Sequence, residues 1–284
     1  MWFNFYILQF ASLIGIKTDK NSYKMNIYIL TDNVAGGKFQ AEHGLSYLIE
    51  TEDEKILFDT GHSELFLKNA KLLGLDIEKE VDTVVLSHGH WDHGDGLKYL
   101  NNKKLITHPG SFIRRFRKKD LSPVGLSLSK QELLNKFQIE ETAEPLMIAK
   151  NLFFIGEIPR LNNFESQSTT FTDDFSNDDF VKDDSAIVAI ENNEIIVITG
   201  CSHSGICNIT ERAKKVTGID RVKAAIGGFH LKYDDEQTQK TIDYMRENGI
   251  DMVYPSHCTE LPALAAFYRV FHNPAVKTGM IFKF

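Results

Sequence analysis

The chain lacks most of what would let it work outside a reducing compartment or grip a polyanion. Only three of its 284 residues are cysteines, Cys201, Cys207 and Cys258. An odd number without paired spacing gives no disulfide framework, so a reducing, cytoplasmic setting is expected. Positive charge is also short: 32 Lys and Arg stand against 39 Asp and Glu, a net charge of -7. That excludes a broad nucleic-acid surface, and nucleic acid is not an expected partner. Apolar runs long enough to span a bilayer are missing too. Trp2 to Ile16 comes nearest, but Asn4 and Gln9 interrupt it and no basic flank precedes it, so stable membrane insertion is not expected. No Pro/Gly/Ser-rich linker divides the chain. Met25 opens a clean strand pattern, so residues 1–24 read as an N-terminal extension upstream of a second start, or else as a weak export or membrane-surface segment. Residues 25–284 read as one domain, and at 42% hydrophobic content the chain can bury a large core.

What is present is an alternation of strands and helices. Asn26 to Leu30, Leu45 to Glu50 and Lys55 to Asp59 read as strands, the last two joined by a hairpin at Thr51 to Glu54. Apolar positions at Leu65, Phe66, Leu72 and Leu73, closed by Gly74, read as an amphipathic helix. Val84 to Ser87 is the next strand. Helices are expected at Ser111 to Lys119 and Ser129 to Phe137, then a strand at Leu152 to Ile155. The polar stretch Asn162 to Asp184 is too long for an ordinary connection and reads as a functional loop over the site or a flexible insertion. Its aspartates lack the spacing and central glycine of an EF-hand, which leaves a solvated acidic loop. The second half gives strands at Ser185 to Ile190, Glu194 to Thr199, Val222 to Ile226 and Asp251 to Tyr254, with helices from Ile206 to Lys215 and from Glu236 to Asn248. Strands alternating with helices indicate a layered α/β domain with its site along one sheet edge.

The chemistry concentrates at strand ends. His88-Gly89-His90-Trp91-Asp92-His93-Gly94-Asp95-Gly96 comes directly after the apolar run Val84-Val85-Leu86 and Ser87. In extended chain, residues two apart project to one side, so His88 and His90 can converge on one ion. Asp92 and His93 fall where glycines let the backbone tighten into a helix, and can face a second ion. Three later strands end in Thr199-Gly200-Cys201-Ser202-His203-Ser204-Gly205, Gly227-Gly228-Phe229-His230 and Pro255-Ser256-His257-Cys258-Thr259.

Together with Leu57-Phe58-Asp59-Thr60-Gly61, these motifs resemble the metallo-β-lactamase superfamily in order and spacing, over essentially everything after Met25. Glu42-His43-Gly44-Leu45-Ser46, Gly156-Glu157-Ile158-Pro159-Arg160, Asp183-Asp184 and the three strand-end turns look more narrowly like its dihydropteroate-synthase-like branch. That branch is named for the 7,8-dihydropterin-6-methyl-4-(β-D-ribofuranosyl)-aminobenzene-5'-phosphate synthase of methanopterin biosynthesis. The resemblance implies an αβ/βα sandwich, two mixed sheets face to face between outer helices, with two divalent ions at one end. By it, His88 and His90 bind the first ion, and Asp92, His93 and His257 the second. The chain departs from the superfamily pattern in having Cys201 where many members place a bridging aspartate, and Asp183-Asp184 where they place a histidine. His203 is favoured as third ligand of the first ion, with Asp184 or Cys201 as bridge. The other readings are a small buried hydrophobe for Cys201 and a polar helix-start residue for His203. A thiolate ligand would favour zinc over iron; iron and manganese are the other candidate metals.

Hydrolysis of a small molecule by a metal-bridging hydroxide is the default chemistry, with Asp92 as the catalytic carboxylate. Asp59 is the candidate that orients a ligating imidazole from behind. Arg114, Arg115 and the rest of the basic run to Lys119, with Arg160 and His230, are candidates for receiving a substrate phosphate. His108 is a pocket residue or a structural donor. A metal-dependent synthase of pterin metabolism is one alternative, and a non-catalytic metal-binding module another. A diiron oxygen-reducing enzyme is disfavoured by His90, where such a member carries an acid, and by the lack of a flavin partner domain.

Overall fold

The computed structural model describes residues 25–284, so the reading of residues 1–24 as an extension lies outside the described residues. The first half runs β1 (Asn26–Thr31), β2 (Ser46–Glu50), β3 (Lys55–Phe58), α1 (Leu65–Leu72), α2 (Ile77–Glu80), β4 (Thr83–Val85), α3 (Trp91–Gly94) and β5 (Lys103–Thr107). It continues through β6 (Arg115–Arg117), α4 (Lys130–Leu134), β7 (Phe137–Glu141), β8 (Leu146–Ala149), β9 (Leu152–Phe154), β10 (Phe171–Asp173) and β11 (Asp178–Asp179). The second half comprises β12 (Ala186–Glu191), β13 (Glu194–Thr199), α5 (Ile206–Thr217), β14 (Val222–Gly228), α6 (Glu236–Glu247), β15 (Met252–Ser256), α7 (Leu261–Phe271) and β16 (Ile281–Lys283).

Two mixed sheets result, a seven-stranded one in the order β16-β1-β2-β3-β4-β5-β7 and a six-stranded one in the order β15-β14-β13-β12-β9-β8. Period-2 alternation decides which layer each side chain enters. In β13, Ile196 and Ile198 pack with Ile27, Tyr47, Phe58 and Ile106 between the sheets. Ile195 and Val197 face outward and pack with Ile209, Ile242 and Phe267 of the three long helices. On the other side Leu48, Leu57, Val84 and Leu105 pack outward with Phe66 and Ala70 of α1. The chain is therefore an αβ/βα sandwich, helices outside and sheets inside. Among the described residues no helix is long and apolar enough to cross a membrane.

β3, β4, β5 and β7 are parallel neighbours, as are β13, β14 and β15. Their C-terminal ends open toward one edge of the sandwich, and the motif-bearing turns gather there.

Two expected elements differ. The segment expected as a helix over Ser111 to Lys119 is a short 3-10 turn, Pro109–Phe112, with β6 after it. The helix expected from Ser129 to Phe137 is the shorter α4, started by a Ser129–Glu132 capping box and ended where the chain turns into β7. The first change has a tertiary cause. β6 pairs with β10, and with β11 the three form a small sheet that draws two of its strands from the acidic stretch 162–184. Arg115 is 1% exposed. Its guanidinium lies 2.9 Å from Asp179 and 2.7 Å from Asp183. Lys118 pairs with Asp178 and Arg114 lies by Asp174. Arg114, Arg115 and Lys118 of the basic run thus meet carboxylates of the acidic loop, which no local pattern in either segment announces.

Replacing Arg115 by Leu would leave two buried carboxylates unpaired, at a cost of about 3–5 kcal/mol. The urea midpoint of Arg115→Leu should fall accordingly, and an unchanged midpoint would remove this ion cluster from the account.

Candidate metal centre

The loop after β4 is shaped by close approach. A Cβ on Gly89 would sit 1.8 Å from the Ser111 carbonyl oxygen, so only glycine fits between His88 and His90. The Gly89 N–H donates to Asp183 Oδ2 at 2.7 Å, which ties the loop to the Arg115 cluster. His90 remains extended and α3 begins at Trp91, so Asp92 and His93 lie in its first turn. His203 and Cys201 come from the turn after β13, and His257 from the end of β15.

Two sets of three ligands emerge, His88 with His90 and His203, and Asp92 with His93 and His257; within each set the donor atoms lie within 4.8 Å of one another. Cys201 is in the same reach of His88 and His93, and its sulfur is 3.1 Å from His93 Nε2. Asp184 belongs to neither set. Its Oδ2 accepts from the Ser204 N–H at 2.8 Å, so it braces the turn that carries His203. Burial pushes the Asp184 carboxyl up to about 6. Of the two candidate bridging residues, Cys201 lies within reach of one imidazole of each set and Asp184 lies behind, on the Ser204 N–H.

Proton positions follow from the partners. Ser87 Oγ donates to Asp59 Oδ2 at 2.7 Å and therefore accepts from His88 Nδ1 at 2.9 Å. His93 Nδ1 donates to the same Asp59 oxygen at 2.6 Å, and His257 Nδ1 donates to Asn33 Oδ1 at 3.0 Å. With their δ-nitrogens committed as donors, the ε-nitrogens of His93 and His257 are lone pairs, yet they meet at 3.0 Å. Such a contact requires a cation between them, a proton or a metal ion. The ε-nitrogens of His90 and His203 are buried without any hydrogen-bond partner. These orphaned nitrogens and opposed lone pairs fit metal ions.

Electrostatics divide the two sets: the first is neutral, and in the second a proton on His93 fills the contact with His257 until a metal ion displaces it. Burial first, and neighbouring imidazoles second, push His88, His90 and His203 well below the usual histidine range, so all three are neutral. Burial would raise Asp92, but His93, His257 and His43 hold it well below the usual carboxylate range. His93 is raised to about 9 against the opposing effect of burial, because Asp59 and Asp92 flank it.

The other expected site residues divide. His230 lines a cavity of about 310 Å³ beside His203, roofed by residues 164–171 and 180–181 of the acidic stretch. Arg160 does not open onto it; its guanidinium bonds Ser166 Oγ and the Phe180 carbonyl and so holds the roof in place. Arg115 is consumed by Asp179 and Asp183, and Arg114 points to solvent. The expected arginine phosphate site is therefore replaced by structural ion pairs. His108 accepts from the Gly110 N–H, capping its own turn.

Three contributors were not singled out in the sequence. Asn33, just past β1, holds His257 and accepts from the Gly44 N–H. His43 lies 3.3 Å from Asp92. Glu165, 1% exposed, accepts from the Cys207 and Asn208 N–H groups and caps α5. His43 sits in a quoted motif, but Asn33 and Glu165 act across long sequence separations that no local signal marks. Because Asp59 orients imidazoles of both ligand sets, Asp59→Asn should weaken metal affinity by about 10–100-fold. Competition against a chromophoric chelator checks this, and wild-type affinity would remove Asp59 from that role.

Comparison with known proteins gives the family. Residues 40–108 match the family model described as the metallo-beta-lactamase superfamily. An uncharacterized protein of Methanocaldococcus jannaschii is 38% identical over 84% of this chain and 92% of its own length. The 7,8-dihydropterin-6-methyl-4-(beta-D-ribofuranosyl)-aminobenzene-5'-phosphate synthase of the same organism is 31% identical over 92% of this chain and 97% of its own. The crystal structure of Tm1679, described as a metal-dependent hydrolase of the beta-lactamase superfamily, superposes with a TM-score of 0.80 at 30% identity. That superposition covers 91% of this chain and 98% of the other. The chain belongs to the metallo-beta-lactamase superfamily of enzymes.

Proposed function

We propose that this chain is a dinuclear metal-dependent hydrolase acting on a small molecule. The observation that carries the reading is the pair of three-residue ligand sets meeting at Cys201. His88, His90 and His203 would hold one ion and Asp92, His93 and His257 the other. Imidazole, carboxylate and thiolate together suit zinc, and the thiolate disfavours manganese. When bound, two such ions supply the pull that brings the pKa of water toward neutrality and makes it a nucleophile.

The chain's own residues place the reactants and move the proton. Asp92 would orient the attacking water by accepting a hydrogen bond from it, and His43 Nε2, 3.3 Å from Asp92 on a side chain 52% exposed, would carry the released proton to solvent. Phe171, tilted against His90 and edge-on to His203 at ring distances of 4.8 and 5.5 Å, keeps bulk water from the first ligand set. Ser168 and Thr170 line the cavity and offer hydroxyls to the polar edge of a substrate. A cavity of about 310 Å³ admits a small molecule. Three free cysteines suit a reducing cytoplasm, and the acidic balance disfavours nucleic acid.

A second reading is a pterin-type synthase using the same ions as Lewis acids, favoured by the similarity to the archaeal synthase. Product identification separates the two. A metal-binding module without catalysis is disfavoured by the intact ligand sets.

Metal analysis of the loaded protein should give at least two ions per chain, and saturation at one would overturn the reading. In a metabolite-depletion assay, Asp92→Asn should lose about 10²–10⁴-fold in turnover with its circular dichroism unchanged. A wild-type rate in that variant would take Asp92 out of the chemistry.

A further inference from the structure

Three adjacent parallel strands of the six-stranded sheet end in register. Thr199 of β13 pairs with Gly227 of β14, and Gly227 with Pro255 of β15. Just past that row each strand delivers one soft or borderline ligand: Cys201 two residues after Thr199, His230 three after Gly227, and Cys258 three after Pro255. Their donor atoms lie within 4.8 Å of one another. Six other side chains already account for the two ligand sets of the centre, so His230 and Cys258 are left over.

We propose that Cys201, His230 and Cys258 form a third cation site, thiolate-rich and sharing Cys201 with the dinuclear centre, that takes a soft or borderline d10 ion such as Zn2+ or Cu+.

Four observations carry this. His230 Nδ1 is buried and has no hydrogen-bond partner, so the ring spends a polar atom on nothing the protein supplies. His230 also takes a left-handed backbone, φ 51, a conformation disfavoured for a residue with a side chain. Gly228 makes room for the sulfur: a Cβ there would meet Cys258 Sγ at 2.6 Å and the Gly200 carbonyl oxygen at 2.5 Å. Cys258 Sγ reaches the Cys201 carbonyl at 3.4 Å and otherwise faces the Cys201 and His230 side chains. The third cysteine, Cys207, is part of no such group; it lies in α5 beside Glu165. Two sulfurs and an imidazole are a donor set that selects zinc or copper(I) over hard cations. Three protein ligands leave one coordination position. His230 also lines the cavity.

The site rests on the preceding reading only through Cys201, so the test leaves all six histidine and aspartate ligands intact. Metal-stripped wild type, Cys258→Ser, His230→Ala and Cys207→Ser are loaded with Cd2+ under reducing conditions and desalted. Bound metal is then counted by mass spectrometry and thiolate-to-cadmium absorption is read in the ultraviolet. Wild type and Cys207→Ser should hold close to three ions, and Cys258→Ser and His230→Ala close to two. The absorption should drop in Cys258→Ser. If Cys258→Ser does not fold, His230→Ala reads the same equivalent. Saturation of the wild type at two with absorption unaltered in Cys258→Ser would overturn the proposal, as would a third ion kept in both variants. Wild type saturating below two, with absorption still lost in Cys258→Ser, would uphold this site and sink the dinuclear reading instead.

Discussion

The carboxylate of Asp59 sets the proton on both halves of the centre. It is fully buried at the end of β3, on a left-handed backbone with φ 57, and accepts from the Ser87 N–H, the Ser87 hydroxyl and His93 Nδ1. A non-glycine residue in that conformation costs about 1–3 kcal/mol. Three hydrogen bonds to a charged acceptor contribute about 1.5–3 kcal/mol each, which outweighs the strain. Their effect is directional. With Ser87 turned toward Asp59, His88 must donate from Nδ1, and His93 is fixed the same way. The ε lone pair of His88 is thereby turned to His90 Nδ1, 3.0 Å away, and the ε-nitrogen of His93 to the Cys201 sulfur at 3.1 Å.

Preorganisation continues outward through the loop contacts. Asp183 joins the Gly89 N–H to Arg115, Asp184 holds the Ser204 N–H beside His203, and Glu165 caps the helix next in the chain. With Asp59, four acidic residues thus hold the centre's loops without being ligands. Three of them, Glu165, Asp183 and Asp184, come from the stretch 162–184, which also roofs the cavity. One insertion therefore both braces the ligand-bearing turns and defines what can enter.

The sandwich and the metal loop were legible in the sequence because their signals are local. Alternation in Ile195 to Ile198 marks a strand covered on both faces, and His88 to His93 places four ligand-type residues within six positions. His203 and His257 were reachable because each comes after a strong strand. What escaped depends on contacts between distant segments. Arg114 to Lys119 has the density of a solvated helix face, and only pairing with Phe171 to Asp173 makes its centre a strand, with Arg115 spent on Asp179 and Asp183. Asp184 and Cys201 were interchangeable as sequence candidates; the fold alone turns one toward the imidazoles and the other toward a backbone N–H. Asn33 acts on His257 across 224 positions, beyond any local pattern.

The central claim is that two ions share one cage built on these strand ends. X-ray absorption at the metal edge of the zinc-loaded protein tests it most directly. The account predicts imidazole-rich coordination with a sulfur contribution and a metal–metal vector of about 3.5–4 Å, as in two-metal sites. A spectrum of fully loaded protein with no metal–metal vector would contradict it.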